Sequence, residues 1–214
     1  MTTYQLIENH FVLPTPAGAY YAVSHEGSDP VRRLLCALLC QERTPLLDQA
    51  ALERWTGQPA EDAQETLYHA QNQQWIEGFS QPRSAGAGAL EALLPGLLPP
   101  LSGSGKALLA DAHGFYIAAV GFTHEAAVEL AALSADIASL ESRHSALIRQ
   151  NLRLASGAWA LVDAAGNSQL GFWPLFIDTQ RFALILQGVP RFNQPVFTEL
   201  VWALSTRYAV RSEP

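Results

Sequence analysis

The chain has 214 residues, of which 49% are hydrophobic and 15% are charged, and its formal net charge at pH 7 is −7. The apolar share excludes a disordered chain, and the negative charge argues against general binding to nucleic acid or to an anionic membrane surface. Because an average soluble domain has about 25% charged residues, we expect a partner protein or a second copy of the chain to cover part of the surface.

Residues 1–5 have neither a basic segment nor an apolar stretch, so we expect no signal peptide. No segment approaches the roughly 18 consecutive apolar residues of a membrane span. The two cysteines, Cys36 and Cys40, lie one helical turn apart among leucines. This pattern is typical of buried thiols in a reducing compartment. We therefore expect a cytoplasmic protein with no membrane partner.

The stretch 80–88 is rich in Ser, Gly, Pro and Ala and predicts a linker. It divides the chain into an N-terminal domain, 1–83, and a C-terminal domain, 84–214. The N-terminal domain has 5 arginines and 10 acidic residues, a net charge of −5. The C-terminal domain has 8 basic and 10 acidic residues, a net charge of −2. The acidic excess therefore lies mainly in the first domain.

In the N-terminal domain, two extended stretches, 4–13 and 19–24, flank a proline-rich turn and predict a β-hairpin. Three short helices follow, each with a capping residue or an early proline, at 31–41, 49–55 and 60–75. An extended tail, 76–79, comes after them. Their apolar spacing predicts a shared core of Leu34, Leu35, Leu38, Leu52, Trp55, Leu67 and Trp75. This arrangement resembles a winged-helix domain.

The C-terminal domain is predicted as a helix, two strands, a long helix, three strands and a final helix. In chain order the ranges are 89–98, 106–111, 115–121, 123–151, 158–163, 170–178, 181–187 and 194–208. His113-Gly114 forms the tight turn of the first strand pair, and Thr123 is the predicted N-cap of the long helix. The order therefore predicts an αββαβββα domain.

Residues 108–122 read Leu-Leu-Ala-Asp-Ala-His-Gly-Phe-Tyr-Ile-Ala-Ala-Val-Gly-Phe. They resemble the signature of the roadblock (dynein-light-chain-like) family, in which a strand ends in Asp, a turn carries Gly and a second strand precedes a helix. The close match covers about 105–140, where the alanine-rich helix is similar to that of bacterial members, and the other elements of 84–210 follow the family's order. The resemblance implies an α+β fold with a five-stranded antiparallel sheet. The chain departs from the family at Pro174, where we expect a bulge or a strand that pairs only after the proline.

Two motifs for catalysis or ligand binding are incomplete, and a third is absent. Residues 102–107 resemble a phosphate-binding loop, but Pro100 and Ala107 replace its Gly and its Ser or Thr. The helix that starts at His124 lacks the second histidine of a zinc protease, because Val128 stands there; the acid that follows His124 is interpreted as a first-turn residue. No Gly-x-Ser-x-Gly motif occurs, and the six histidines show no paired ligand spacing. We therefore predict no catalytic residue, no cofactor and no metal site, in a protein that is not an enzyme.

The third helix of the N-terminal domain, 60–75, distinguishes DNA binding from protein binding. It has three acidic residues and neither Lys nor Arg. A helix in the major groove beside phosphates needs basic neighbours. We therefore expect no specific binding to nucleic acid and predict that this domain contacts protein.

The long helix has two faces that predict a homodimer. Leucines and Ile137 recur at spacings of three and four, and we expect them to cover the sheet. The small residues beside them are then left for the helix of a second copy. The strand that follows is an edge strand in the family's sheet, and pairing with its symmetry mate would satisfy its backbone. The predicted interface residues are Ala127, Ala131, Ala135, Ala138, Trp159 and Leu161. The alternative is that the alanine face packs on the N-terminal domain of the same chain.

Two functions remain. The resemblance implies a dimeric adaptor or regulator that binds a protein partner, such as a small Ras-like GTPase or a motility or signalling complex. The alternative is a transcription regulator with an N-terminal winged helix and a C-terminal domain that dimerises or senses a ligand. The acidic helix argues against the second. A dimer module without an identified partner stays open.

Overall fold

The structure, a computed structural model, describes residues 6, 7 and 9–209. Residues 1–5, on which the prediction of no signal peptide rests, lie outside the described residues. The fold is α+β, as predicted, and contains a two-stranded and a five-stranded antiparallel sheet. In the described part of the chain, no helix is both long and apolar enough to cross a membrane.

In chain order the helices and strands are β1 (Phe11–Pro14), α1 (Pro16–Val23), α2 (Pro30–Leu39), α3 (Gln49–Thr56), α4 (Ala60–Asn72), β2 (Ile76–Phe79), α5 (Leu90–Leu97), β3 (Ala107–Ala110), β4 (Tyr116–Val120), α6 (His124–Arg143), β5 (Trp159–Val162), β6 (Ser168–Ile177), β7 (Gln180–Gln187) and α7 (Pro195–Tyr208). A 3-10 turn (Pro99–Leu101) follows α5, and a π-helix (Ala146–Asn151) follows α6. The chain forms two compact units. Among the described residues, the first contains those up to 87 and 192–209, and the second contains 88–191.

The first strand, β1, pairs antiparallel with β2 and not with the stretch that follows it in the chain. The predicted hairpin of 4–13 with 19–24 is therefore wrong, because most of the second stretch belongs to α1. Thr15, which we placed in the turn, is the N-cap of α1, and its hydroxyl accepts a hydrogen bond from the N–H of Gly18 at 3.2 Å. Pro16 occupies the first helical turn, where a missing N–H costs no hydrogen bond. A capped helix start replaces the predicted turn.

The next three helices, α2, α3 and α4, lie where the sequence predicts them. Asp48 caps α3 by accepting a hydrogen bond from the N–H of Ala51 at 2.7 Å, and Gly57 ends this helix with a φ of 66°. The predicted core is confirmed: the five leucines are buried and both tryptophans are half-buried. The winged-helix interpretation of this unit stays a prediction.

The last helix, α7, lies in the first unit, whereas the sequence assigned it to the domain 84–214. It contacts α1 and α2, and Nε1 of Trp202 donates a hydrogen bond to the carbonyl oxygen of Gln41 at 2.6 Å. Nearly all residues between Phe197 and Ser205 are buried. A helix with so many buried residues needs cover from several elements. Within the first unit, α1 and α2 contact it.

The predicted linker, 80–88, is hydrogen-bonded over part of its length. The N–H of Thr44 donates to the carbonyl of Arg83, and the N–H of Ala85 donates to the carbonyl of Glu42, both at 2.9 Å. The division between the two units falls near the C-terminal end of this stretch.

The second unit is built on the five-stranded sheet, in the order β4-β3-β7-β6-β5. Strands β6 and β7 form a long hairpin that turns at Asp178, which has a φ of 52°. Pro174, where we expected a bulge or interrupted pairing, lies opposite Ala183 in an unbroken register. On its other side, β6 pairs with β5 only over 168–172. Pro174 therefore has a strand partner on one side alone, an arrangement that proline tolerates.

Helix α6 lies against the sheet and makes most of its sheet contacts with β3, β4 and β7. It begins as predicted, because the hydroxyl of Thr123 accepts a hydrogen bond from the N–H of Ala126 at 3.3 Å. Its regular turns end at Arg143 rather than near Asn151, and the π-helix takes over the rest of the predicted range.

Candidate protein-interaction surface

Strand β5 is an exposed apolar edge of the sheet. Its one neighbour in the strand order is β6, and all four of its residues are exposed. Leu161 is 66% exposed, Val162 58% and Trp159 37%. Soluble proteins usually protect such an edge with charged residues, proline or a covering element, since an open edge pairs readily with another chain. The sequence of β5, Trp-Ala-Leu-Val, has none of the protecting residues.

The two largest side chains of β5 lie on the face of the sheet that α6 covers. Trp159 stands opposite Phe172, and Leu161 stands opposite Leu170. Directly opposed residues share a face, and Phe172 belongs to the buried cluster under α6 that includes Ala131. The exposed edge therefore continues an apolar face that is covered further along the sheet.

The alanine face of α6 packs on this same sheet, and this changes the expected interface at Ala127 and Ala131. Ala127 is 1% exposed and Ala131 is fully buried, in one cluster with β3, β6 and β7 residues. Ala135 and Ala138 are half-buried. Small side chains let the helix backbone approach the strands closely. Ala127 and Ala131 are therefore unavailable to a second copy, because the sheet of their own unit covers them.

The tip of the β3–β4 hairpin also uses these small residues. Gly114 has a φ of 83°, and a Cβ added there would lie 3.2 Å from the Cα of Ala132 and 3.3 Å from the Cβ of Ala135. The turn therefore sits directly on α6. This contact gives the alanines a second role inside the chain.

The leucine stripe of α6, expected to cover the sheet, covers it only in part. Leu130 and Ile137 are partly buried and pack against the buried cluster, whereas Leu133 is 43% exposed. The stripe borders a shallow groove of about 390 Å³ between α6 and the ends of β6 and β7. The groove is lined by Phe122, Ala126, Glu129, Leu130, Leu133, Gln169, Leu170 and Gln187. Leu170 also pairs with Leu161, so the groove and the β5 edge adjoin. The stripe was visible in the sequence, but its exposure was not.

The residues of the incomplete sequence motifs make structural contacts. The hydroxyl of Ser102 donates to the carbonyl of Gln187 at 2.6 Å and accepts from the N–H of Lys106 at 3.1 Å, so this stretch is a turn tied to β7. Nδ1 of His124 lies 2.9 Å from the hydroxyl of Tyr116. Within the described ranges, no group of three or more His, Cys, Asp or Glu side chains is placed to hold a metal ion.

Glu125 lies in the first turn of α6. Its own backbone N–H and the hydroxyl of Thr123 hold the pKa of the Glu125 carboxyl below its usual value. This agrees with its interpretation as a first-turn acid.

No family model and no curated protein sequence matches the chain. Among solved structures, the chain is similar to the Roadblock/LC7 domain from Streptomyces avermitilis. The two are 18% identical, the match covers 55% of this chain and 95% of that chain, and the TM-score is 0.37.

Proposed function

We propose that the chain is a dimeric protein-interaction module that self-associates through β5. The observation that carries the proposal is an apolar, uncharged edge strand whose residues are all exposed. Unpaired N–H and C=O groups along such an edge are satisfied when another strand pairs with it.

A second copy of the chain fits this edge better than an unrelated strand does. Two copies of β5 related by a two-fold axis pair antiparallel, and each offers the other the same donors, acceptors and apolar side chains. The strand has no charge that would repel its own copy, although the chain as a whole is acidic. In this arrangement Trp159 and Leu161 of each copy lie beside the groove bordered by Leu133. Of the predicted interface residues, the proposed interface keeps the two that lie in β5, Trp159 and Leu161. It adds the leucine stripe of α6.

The role of the dimer is that of a non-enzymatic adaptor or regulator for another protein. A small Ras-like GTPase, or a motility or signalling complex, is the partner class that the resemblance of residues 108–122 implies. For the first unit, a protein partner is favoured over DNA because α4 exposes three carboxylates, those of Glu61, Asp62 and Glu65. Carboxylates on that helix would repel phosphates.

Sedimentation equilibrium of the full chain at tens of micromolar tests the proposal. We expect two chain masses for the wild type and one for Leu161→Asp, because a charge at the pairing edge is costly to bury. The matched control is Phe115→Asp, since Phe115 is an equally apolar residue, 71% exposed, beside β4. The control is expected to remain a dimer. One chain mass for the wild type, or a dimer that Leu161→Asp leaves intact, would contradict the proposal.

A further inference from the structure

Residues 144–158, here named the strap, connect α6 to the edge strand β5. From 142 to 170 the structure buries a single residue, Gly157. Three leucines of the strap are exposed: Leu147 at 48%, Leu152 at 57% and Leu154 at 55%. A segment with so little burial opens locally at low cost. What holds the strap must therefore be a small number of specific contacts.

The hydrogen bonds within the strap are local. The N–H of Leu152 donates to the carbonyl of Leu147 at 2.9 Å, and the N–H of Leu154 donates to that of Ile148 at 3.0 Å. The first hydrogen bond has the spacing of a π-helix, and the second spans one residue more. Arg153, between the two donors, adopts a left-handed φ of 54°. Such backbone persists only where surrounding contacts stabilise it.

Glu141 supplies those contacts from the last turn of α6. Its side chain is only 8% exposed, and its Oε1 accepts a hydrogen bond from Nη2 of Arg149 at 2.9 Å. A Cβ added to Gly157 would lie 2.8 Å from the same oxygen, so the end of the strap lies directly on the carboxylate. One buried carboxylate therefore contacts both the middle and the end of the strap. Without its cation, a buried carboxylate is strongly destabilised.

We propose that the ion pair between Glu141 and Arg149 is a latch that holds the strap against the end of α6, and we call this arrangement the closed strap. When the ion pair breaks, the carboxylate of Glu141 becomes exposed to water and the strap separates from α6. The closed strap fixes where the chain enters β5, so the latch positions the edge strand for pairing. This last step rests on the proposed self-association.

Amide hydrogen exchange in the full chain tests the latch itself. The experiment uses the Leu161→Asp background, so that self-association does not protect the strap. We expect Arg149→Met to speed exchange at the Leu152 and Leu154 amides by at least about tenfold, while Arg149→Lys retains most of the protection. The control is Arg143→Met, which removes an exposed arginine of α6 and is expected to change nothing. Unchanged exchange at β7 amides shows that the sheet stays folded.

Salt separates a charge-dependent latch from a merely structural role for the arginine. Raising NaCl to about 1 M, where the Debye length is about 3 Å, is expected to speed strap exchange when Arg149 is present and to have no effect in Arg149→Met. Strap exchange in Arg149→Met within twofold of the parent, or no response of the parent to salt, would overturn the latch. If Arg149→Met does not fold, the salt series on the parent chain decides.

Sedimentation of Arg149→Met with Leu161 intact tests the link to β5 pairing. We expect association at least about fivefold weaker than in the wild type. Equal association would overturn the link. A wild type that does not associate would contradict the proposed function. The exchange measurements would still show whether Arg149 holds the strap against α6.

Discussion

The two edges of the five-stranded sheet are similar in composition and opposite in exposure. Strand β4, Tyr-Ile-Ala-Ala-Val, is half-buried throughout, because α5 and α6 contact it. The hydroxyl of its Tyr116 also forms a hydrogen bond with His124. Strand β5, Trp-Ala-Leu-Val, is exposed throughout. Both lack charged residues. The comparison shows that cover by helices, and not strand composition, decides which edge is open for pairing.

The largest expected loss of stability comes from disturbing the packing of α6 on the sheet near β4. Ala131→Glu places a carboxylate in the cluster between α6 and the sheet, and we expect a loss of about 3–5 kcal/mol in the free energy of unfolding, the range for an uncompensated buried charge. Urea denaturation measures it. The control, Ser139→Glu, lies at an exposed position of α6 and is expected to change stability by about 0.5 kcal/mol or less. A stable Ala131→Glu chain that no longer dimerises would restore the original prediction that the alanine face meets a second copy.

A smaller loss of stability is expected from glycine substitutions in the turns next to the two edges. Gly114 and Gly166 have φ values of 83° and 85°, but an added Cβ meets α6 at Gly114 and open space at Gly166. Gly166→Ala is expected to cost about 1–2 kcal/mol, the left-handed backbone penalty alone. Gly114→Ala is expected to cost about 1 kcal/mol more, for the close contact with α6. Thermal unfolding of both variants gives the difference. Equal losses would show that the turn at Gly114 does not rest on α6.

The smallest effect concerns the turn that joins β5 to β6. The backbone N–H of Asn167, followed by its side-chain amide, lowers the pKa of the Asp163 carboxyl below its ordinary 3.8. A carboxyl with a lowered pKa stabilises the folded turn above its unfolded pKa, and this contribution is lost as the pH falls through the folded pKa. We expect the amide resonances of Ala165 and Asn167 to shift with a midpoint below pH 3.8. In Asp163→Ala this titration should vanish, and a midpoint at or above the ordinary value would show that the turn does not hold the carboxylate.

Local signals in the sequence located most elements of the second unit. The turn at Gly114, the cap at Thr123 and the two apolar runs that flank the turn at 178–180 each favour one local structure, in which nearby backbone hydrogen bonds are satisfied. The same kind of local signal failed at Pro14-Thr15-Pro16, which is compatible with a turn and with a helix start. The partner of β1 decided between them, and β2 lies far away in the chain.

By itself, the sequence determined the α+β class, the core leucines of the first unit and the absence of a complete catalytic motif. Only the tertiary structure decided which face of α6 is buried, to which unit α7 belongs and which sheet edge is open. The open edge follows from which strand the helices cover, and for the helices the physical reason is packing distance. Periodicity marks two faces of a helix as candidates for burial, but the distance at which the helix packs, and what else competes for the surface, selects one of them. In α6 the alanines allow the closer approach, so Leu130 is only partly buried and Leu133 stays exposed beside the groove that adjoins β5.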